Sequence, residues 1–340
     1  MSRDKLKIGI LGAGGWGTAL AILLHSNQHQ VTLWEYRQKA AQRLAAERIN
    51  QEFLPGVVIP EGVIITSDLE QAKTNKDILV IVVPSHVVRS VGTQIGSLRE
   101  APETIVVSAT KGIENDTLLR MSQVLLETID GLKAENLVAL SGPSHAEEVS
   151  RRIPTAVVAA SVNLDAAKKV QQAFMNAEFR VYTNPDIIGV ELGGALKNII
   201  AIAAGICDGA GFGDNTKAAL QPRGLVEMVR LGTKMGADPL TFAGLSGMGD
   251  LIVTCMSRHS RNRYVGEQVG KGRPLPEVLS EMVMVAEGVK TTQSAYELSK
   301  KYQVEMPITE QVYKILFEGK NPRDAMYELM MRDAKPEHWG

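Results

Sequence analysis

Residues 6–24 read LKIGILGAGGWGTALAILL: an apolar run from Leu6 to Leu11, a turn carrying Gly12, Gly14 and Gly17, then an apolar stretch with helical character from Thr18 to Leu24. The spacing G-x-G-x-x-G is weak as a bare pattern, and its position between a strand and a helix is what gives it weight. The first glycine permits the tight turn, the second lets a pyrophosphate approach the backbone, and the third lets helix and strand pack. The helix start offers unpaired N–H groups and the positive end of its dipole to an anion. A ligand-free glycine turn is the lesser reading. A dinucleotide-binding unit is the greater one, with Gly12, Gly14, Gly15, Trp16 and Gly17 as candidate contacts.

Working outward, strand-like runs alternate with helical patterns at 6–11, 30–34, 77–83, 104–109, 136–141 and 155–160. Such alternation implies parallel strands joined by crossover helices. The run Ile78-Leu79-Val80-Ile81-Val82-Val83 is continuously apolar, as a strand covered on both faces requires. After about Pro185 the strand-like runs cease. Helical segments follow around 187–207, 218–235, 250–256, 262–270, 274–282, 290–302, 305–318 and 322–331. With 340 residues the chain exceeds the size at which one core usually stops growing. The sequence therefore predicts an α/β protein. Residues 1–187 form a Rossmann-like, doubly wound N-terminal domain with a mainly parallel sheet, and 188–340 form an all-α substrate-binding and catalytic domain. There is no repeat or low-complexity linker between them.

Composition narrows the partners. Lys and Arg total 37 against 38 Asp and Glu, so no global basic field is available for nucleic acid. Cys207 and Cys255 have no CxxC spacing or neighbouring His cluster. They read as buried thiols in a reducing cytoplasm, with no metal site and no disulfide. The start, Met1 with Arg3, Asp4, Lys5 and Lys7, lacks the apolar core of a signal peptide. The most apolar run, 199–206, is short against the roughly 20 residues a bilayer demands, so no membrane span is expected.

Ligands of open α/β sheets bind at the carboxyl ends of strands, which turns attention to three strand ends. The second strand ends in Glu35-Tyr36-Arg37, where a ribose 2′ position would lie. Glu35 could accept from the hydroxyls of NADH, whereas Arg37 could pair with the 2′-phosphate of NADPH. The balance leans slightly to NADPH with dual use open. Two further ends carry Pro84-Ser85-His86 and Thr110-Lys111-Gly112. They are placed to line a nicotinamide, although Lys111 also reads as a surface charge.

Further segments share one resemblance. They are ATKGIE around Lys111, SGPSHA at 141–146, VELGGALKNIIA at 190–201, GFGDNTKAA at 211–219, GLSGMGDL at 244–251 and SRNR at 260–263. With GAGGWGTALA at the start, they resemble the NAD(P)-dependent glycerol-3-phosphate dehydrogenase family of bacterial type, in order, from about residue 8 to 317. The resemblance implies interconversion of sn-glycerol 3-phosphate and dihydroxyacetone phosphate by hydride transfer with NADPH or NADH, without a metal, supplying phospholipid synthesis. It places the general acid/base on Lys197, with Asp250 reaching that lysine and the substrate, and Thr254 on the same helix face. Lys111 would stabilise the polarised carbonyl. Asn198 stands beside Lys197. Ser260, Arg261 and Asn262 form a phosphate clamp, and Gly142, Ser144 and Ala146 form a loop against substrate and nicotinamide. Val285 and Glu287 also fall at cofactor-contacting positions.

Residue chemistry leaves plainer readings beside these. Lys197 could snorkel from a buried helix, Asp250 could be a helix N-cap, and Arg261 an ordinary surface charge. Gln221-Pro222 departs from the family's β-branched pair, and the proline predicts a kink. Gly15-Trp16 stands where the family varies. A related dehydrogenase acting on a hydroxyacyl or sugar-acid substrate is a second reading, and a redox-sensing nucleotide-binding module a third. The resemblance also implies a homodimer.

Overall fold

The computed structural model describes residues 5–334, 336 and 337. The start at Met1, Arg3 and Asp4 and the last residues of the expected helical domain, 335 and 338–340, lie outside them. In chain order the first half runs β1 (Lys7–Leu11), α1 (Gly15–Ser26), β2 (Gln30–Trp34), α2 (Gln38–Glu47), β3 (Ile49–Asn50), β4 (Leu54–Val58) and β5 (Ile64–Thr66). It continues with α3 (Leu69–Lys73), β6 (Ile78–Ile81), α4 (Val88–Ile95), β7 (Ile105–Ser108), α5 (Met121–Thr128) and β8 (Leu137–Ser141). Then come α6 (Ala146–Val149), β9 (Thr155–Ala160), α7 (Leu164–Phe174) and β10 (Phe179–Asn184).

Eight strands form one sheet in the order β10-β9-β8-β7-β6-β1-β2-β5, with β3 and β4 paired as a separate hairpin. Every neighbouring pair in the large sheet is parallel except β8 with β9. Successive side chains point to opposite faces, and the two faces feed two cores. Ile8, Ile10, Ile78 and Val80 pack with α1 and α7, whereas Leu11, Leu79 and Ile81 pack with α4, α5 and Ile187. Strand order reverses between β1 and β6, so a crevice opens at their carboxyl ends, where doubly wound sheets bind ligands.

The second half is helical: α8 (Ile187–Ala210), α9 (Asp214–Lys234), α10 (Pro239–Phe242), a single π turn at Leu245–Gly249, α11 (Asp250–Met256) and α12 (Arg261–Gly270). It closes with α13 (Leu275–Ser280), α14 (Glu287–Lys301), α15 (Pro307–Phe317) and α16 (Pro322–Met330). Helix α8 is apolar all round, and every residue from Gly189 to Cys207 is buried, the pattern of a helix at the centre of a core. The sequence places this helix at 187–207, and it runs on to Ala210. By length and composition it could cross a membrane, but 89% of its most apolar window is buried inside the protein. Burial pushes the thiols of Cys207 and Cys255 up to about 11 and about 12.

Two helices cross at backbone contact. A Cβ at Gly205 would stand 2.0 Å from the Arg263 carbonyl oxygen and one at Gly209 would stand 2.2 Å from that of Glu267. From the other side, Gly266 would meet Ile202 O at 2.0 Å and Gly270 would meet Ile206 O at 2.6 Å. Four glycines at i, i+4 spacing therefore let α8 and α12 touch, and that contact fixes where the start of α12 lies against α8.

The structure departs from the sequence reading in several places. Strands β3, β4, β5 and β10 were not expected. Helices α9 and α14 start several residues earlier than the periodicity suggested, and Pro222 lies inside α9. Asp250 is the first residue of α11 and caps no backbone N–H; Gly249 occupies the cap position.

We expect Gly266→Val to destabilise the protein by about 2 kcal/mol or more, since the added carbons must force two backbones apart. The unfolding midpoint in denaturant measures it. An unchanged midpoint would show that the crossing is not close.

Candidate active site

The glycine turn is built as its spacing implies. Gly12 has φ +122, and a Cβ there would stand 2.7 Å from Val82 O, so β1 can turn this tightly beside β6 only with glycine. A Cβ at Gly17 would stand 1.9 Å from Gly12 O. At Gly14, by contrast, a Cβ would meet nothing within 4 Å among the described residues. Helix α1 then begins with no side chain capping it and no acidic residue in its first turn. An open cradle over unpaired N–H groups is the shape and charge that a pyrophosphate fits, so the residues present suit a dinucleotide. Gly15 and Trp16 open this helix, and the Trp16 ring packs on Phe179 at 6.5 Å between centroids. Ala146 faces the turn across the crevice, 3.7 Å from a Cβ built on Gly15.

At the end of β2, Glu35 is only 5% exposed. It accepts from the Arg37 backbone N–H at 3.0 Å and from Arg37 Nε at 2.9 Å. The Arg37 guanidinium lies over the rings of Tyr36 and Phe53, 5.7 and 5.6 Å from their centroids, and it also pairs with Glu52. Glu52 and Phe53 sit in the β3–β4 turn and were missed in the sequence. The hairpin is tied to the glycine turn by Asn50, whose Nδ2 donates to Ala13 O and Thr18 Oγ1, both at 2.8 Å.

Farther along the crevice, two lysines share one carboxylate. Lys111, beyond β7, donates to Asp250 Oδ2 at 2.6 Å and to Gly142 O at 2.9 Å. Lys197, in the middle of α8, donates to Thr254 Oγ1 at 2.6 Å and stands 3.0 Å from Asp250 Oδ1. Thr254 donates in turn to the Asp250 backbone oxygen at 2.6 Å. Gly193 lets the π turn close on α8, since a Cβ there would stand 2.8 Å from Ser246 O. That approach delivers Asp250 to Lys197.

The cluster's protonation follows from its burial. Desolvation pulls the Lys197 ammonium down to about 8; Asp250 opposes this and Lys111 adds to it. Burial alone would raise the Asp250 carboxyl, but Lys111 and Lys197 outweigh it and hold Asp250 below its ordinary range. The result is a fixed anion beside an amine poised near neutral pH, and such paired displacements mark candidate catalytic groups.

The remaining expected residues fall into two places. Asn198 accepts from Asn262 Nδ2 at 2.9 Å, and Asn262 Oδ1 accepts from the Gly288 N–H at 2.9 Å, which joins α8, α12 and α14. Ser260 caps α12 by accepting from Arg263 N at 3.2 Å. Arg261 is exposed and donates to Val285 O at 2.9 Å. Glu287 accepts from Ser85 N at 2.9 Å and Ser85 Oγ at 2.5 Å, clasping the first turn of α14 to the loop that Pro84 opens. Ser144 Oγ donates within its own loop, to Gly142 O at 2.9 Å. His145, beside it, was not singled out in the sequence. Its Nε2 is buried without a hydrogen-bond partner among the described residues, and its ring lies 5.9 Å from that of His259.

Comparison with known proteins now bears on this crevice. Residues 7–167 match the profile of the NAD-dependent glycerol-3-phosphate dehydrogenase N-terminus, and residues 186–327 match that of its C-terminus. The glycerol-3-phosphate dehydrogenase [NAD(P)+] of Thermoanaerobacter sp. (strain X514) is 55% identical over 335 residues, 98% of this chain and 100% of that one. Its counterpart in Bacillus pumilus is 54% identical over 331 residues, 96% of this chain and 94% of that one. The crystal structure of glycerol-3-phosphate dehydrogenase from Coxiella burnetii superposes with a TM-score of 0.91 at 38% identity, covering 96% of this chain and 99% of that one. A two-part match over nearly the whole chain, on a fold that brings both lysines to one aspartate, places this protein in the NAD-dependent glycerol-3-phosphate dehydrogenase family.

Proposed function

We propose that the chain interconverts dihydroxyacetone phosphate and sn-glycerol 3-phosphate with NAD(P)(H), using Lys197 as the general acid and base. The observation that carries the reading is the Lys197–Asp250–Lys111 cluster at the carboxyl edge of a dinucleotide fold. When bound, the nicotinamide supplies the hydride to C2 of the substrate in one direction and accepts it in the other. The glycine turn from Gly12 to Gly17 would hold its pyrophosphate. Tyr36 and Arg37 would lie at its adenosine end, with Pro84, Lys111, Ala146, Arg261, Val285 and Glu287 toward the nicotinamide.

The chain's own chemistry is proton transfer and orientation. In reduction Lys197 gives its proton to the C2 oxygen as negative charge grows there, and in oxidation it takes that proton back. Asp250 and Thr254 hold the amine in position. Lys111, fixed by Asp250 and Gly142, supplies positive charge to the same oxygen. Arg261, Asn262 and the start of α12 hold the phosphate, while Asn198, Ser144 and Ser260 shape the walls. Binding at the phosphate, remote from C2, then orients the reacting carbon.

In the cell we place the enzyme in the cytoplasm as a homodimer. It works toward glycerol 3-phosphate for phospholipid synthesis, with its cofactor domain ending near 187 and its catalytic domain following from 188. A phosphorylated triose suits Arg261 better than a hydroxyacyl or sugar-acid substrate does. A sensor module would leave the two lysines and Asp250 without a purpose.

Adding dihydroxyacetone phosphate to the protein with NADH or NADPH is expected to consume the reduced cofactor, followed by its absorbance. Lys197→Ala should lose about a thousandfold in turnover, within the range general acids contribute, and still bind cofactor by fluorescence titration. Retained turnover would remove the role.

The pH dependence has a definite sign. Lys197 must be protonated to reduce and neutral to oxidise, and its displaced pKa lies at about 8. The kcat/KM for reduction therefore falls as pH rises through about 8, and that for oxidation rises over the same interval. Profiles flat from pH 7 to 10 in both directions would contradict the assignment.

A further inference from the structure

We propose that Glu52 sets the preference between NADH and NADPH, by competing with a 2′-phosphate for Arg37 and Arg43. The proposal rests on the cofactor reading above and concerns only the end of the crevice beyond β2.

The two carboxylates around Arg37 are not equivalent. Glu35 is nearly buried and locked to the backbone and Nε of Arg37 two residues away, so it cannot leave without abandoning a buried position. Glu52 lies on the hairpin turn with its side chain 30% exposed. It takes the other edge of the guanidinium, accepting from Nη1 at 3.2 Å and Nη2 at 3.3 Å. The second cation of the site, Arg43, stands 3.7 Å from the same Glu52 carboxylate. With Tyr36 and Phe53 in cation–π contact with Arg37, its polar edges are committed to Glu35 and Glu52.

Charge bookkeeping makes the consequence specific. Two guanidiniums face two carboxylates, so the site as built is neutral. A ribose diol needs only neutral or acceptor partners and leaves that balance intact. A 2′-phosphate needs both arginines in paired geometry and must displace one carboxylate to reach them. Only Glu52 can swing into solvent. Because a part-exposed ion pair is weak, the displacement is feasible and both cofactors can be used, but Glu52 tilts the site toward NADH. Like charge facing like is the usual way a protein rejects one of two near-identical ligands.

The direct probe is a pair of fragments that differ only in the 2′-phosphate, adenosine 2′,5′-bisphosphate and 5′-AMP, titrated by calorimetry into the full-length protein. Glu52→Gln is expected to shift the affinity ratio toward the bisphosphate by about tenfold. Glu52→Ala should shift it the same way, and added salt should shrink the shift. The kcat/KM ratio of NADPH to NADH should move in parallel. If Glu52 only holds the hairpin in shape, both fragments weaken together; a ratio within about twofold of wild type in both variants overturns the proposal. Failure of both fragments to bind the wild-type protein would remove the placement of the adenosine end beyond β2, and the proposal with it.

Discussion

One buried carboxylate organises this enzyme. Asp250 is 2% exposed, and an ionised carboxylate so far from water costs several kcal/mol unless it is paired. Lys111 and Lys197 provide that pairing from opposite sides, at 2.6 and 3.0 Å. The arrangement is reciprocal. The lysines keep Asp250 charged, and Asp250 keeps two cations together in a space where their like charges would otherwise repel. Because Lys111 follows a sheet strand while Lys197 and Asp250 belong to the helical half, the ion cluster is also a joint between the two. Glu191 of α8 makes a second such joint, accepting from Arg120 and Ser122 at the start of α5. Glu287 makes a third with Ser85.

The joint works only because the scaffold allows backbones to approach closely. On one side of α8, Gly193 and Gly194 leave room for the π turn and for the end of β8. Near its carboxyl end, Gly205 and Gly209 admit α12, which brings Ser260, Arg261 and Asn262 to the residue after Lys197 through the Asn262–Asn198 bond. Between two glycine pairs α8 thus carries a polar pair, Lys197 and Asn198. That order converts helix packing into a catalytic geometry. The site sits on rigid elements, which is what proton transfer over a hydrogen-bond distance demands.

Much of this was legible in the sequence, for physical reasons. The strand–glycine–helix unit is local chemistry, and β1, β2, β6, β7, β8 and β9 are buried over most of their length, so most of their residues are apolar. The strands that escaped notice lack that signal. In β4 only Leu54 is buried, and β5 and β10 are edge strands, with β10 alternating buried and exposed residues. Missing the β3–β4 hairpin concealed Glu52 and Phe53, because nothing in the sequence says that a turn near residue 52 folds back over Arg37. The family resemblance singled out Lys197 and Asp250, and the fold brings them within 3.0 Å. Residue chemistry alone would have left the first as a snorkelling lysine and the second as a cap. A polar side chain in an apolar helix shows its purpose only when its partner, 53 positions away in sequence, is known.

Asp250 holds Lys197 in its working range against burial and against Lys111. The most direct test is the pH profile of kcat/KM for dihydroxyacetone phosphate reduction in Asp250→Asn beside the wild type. The substitution keeps the shape and removes the charge, so the descending limb should move to lower pH by about one unit or more, as loss of an adjacent opposite charge requires. A limb that stays at the wild-type pH would show that Lys197 owes its protonation to something other than Asp250.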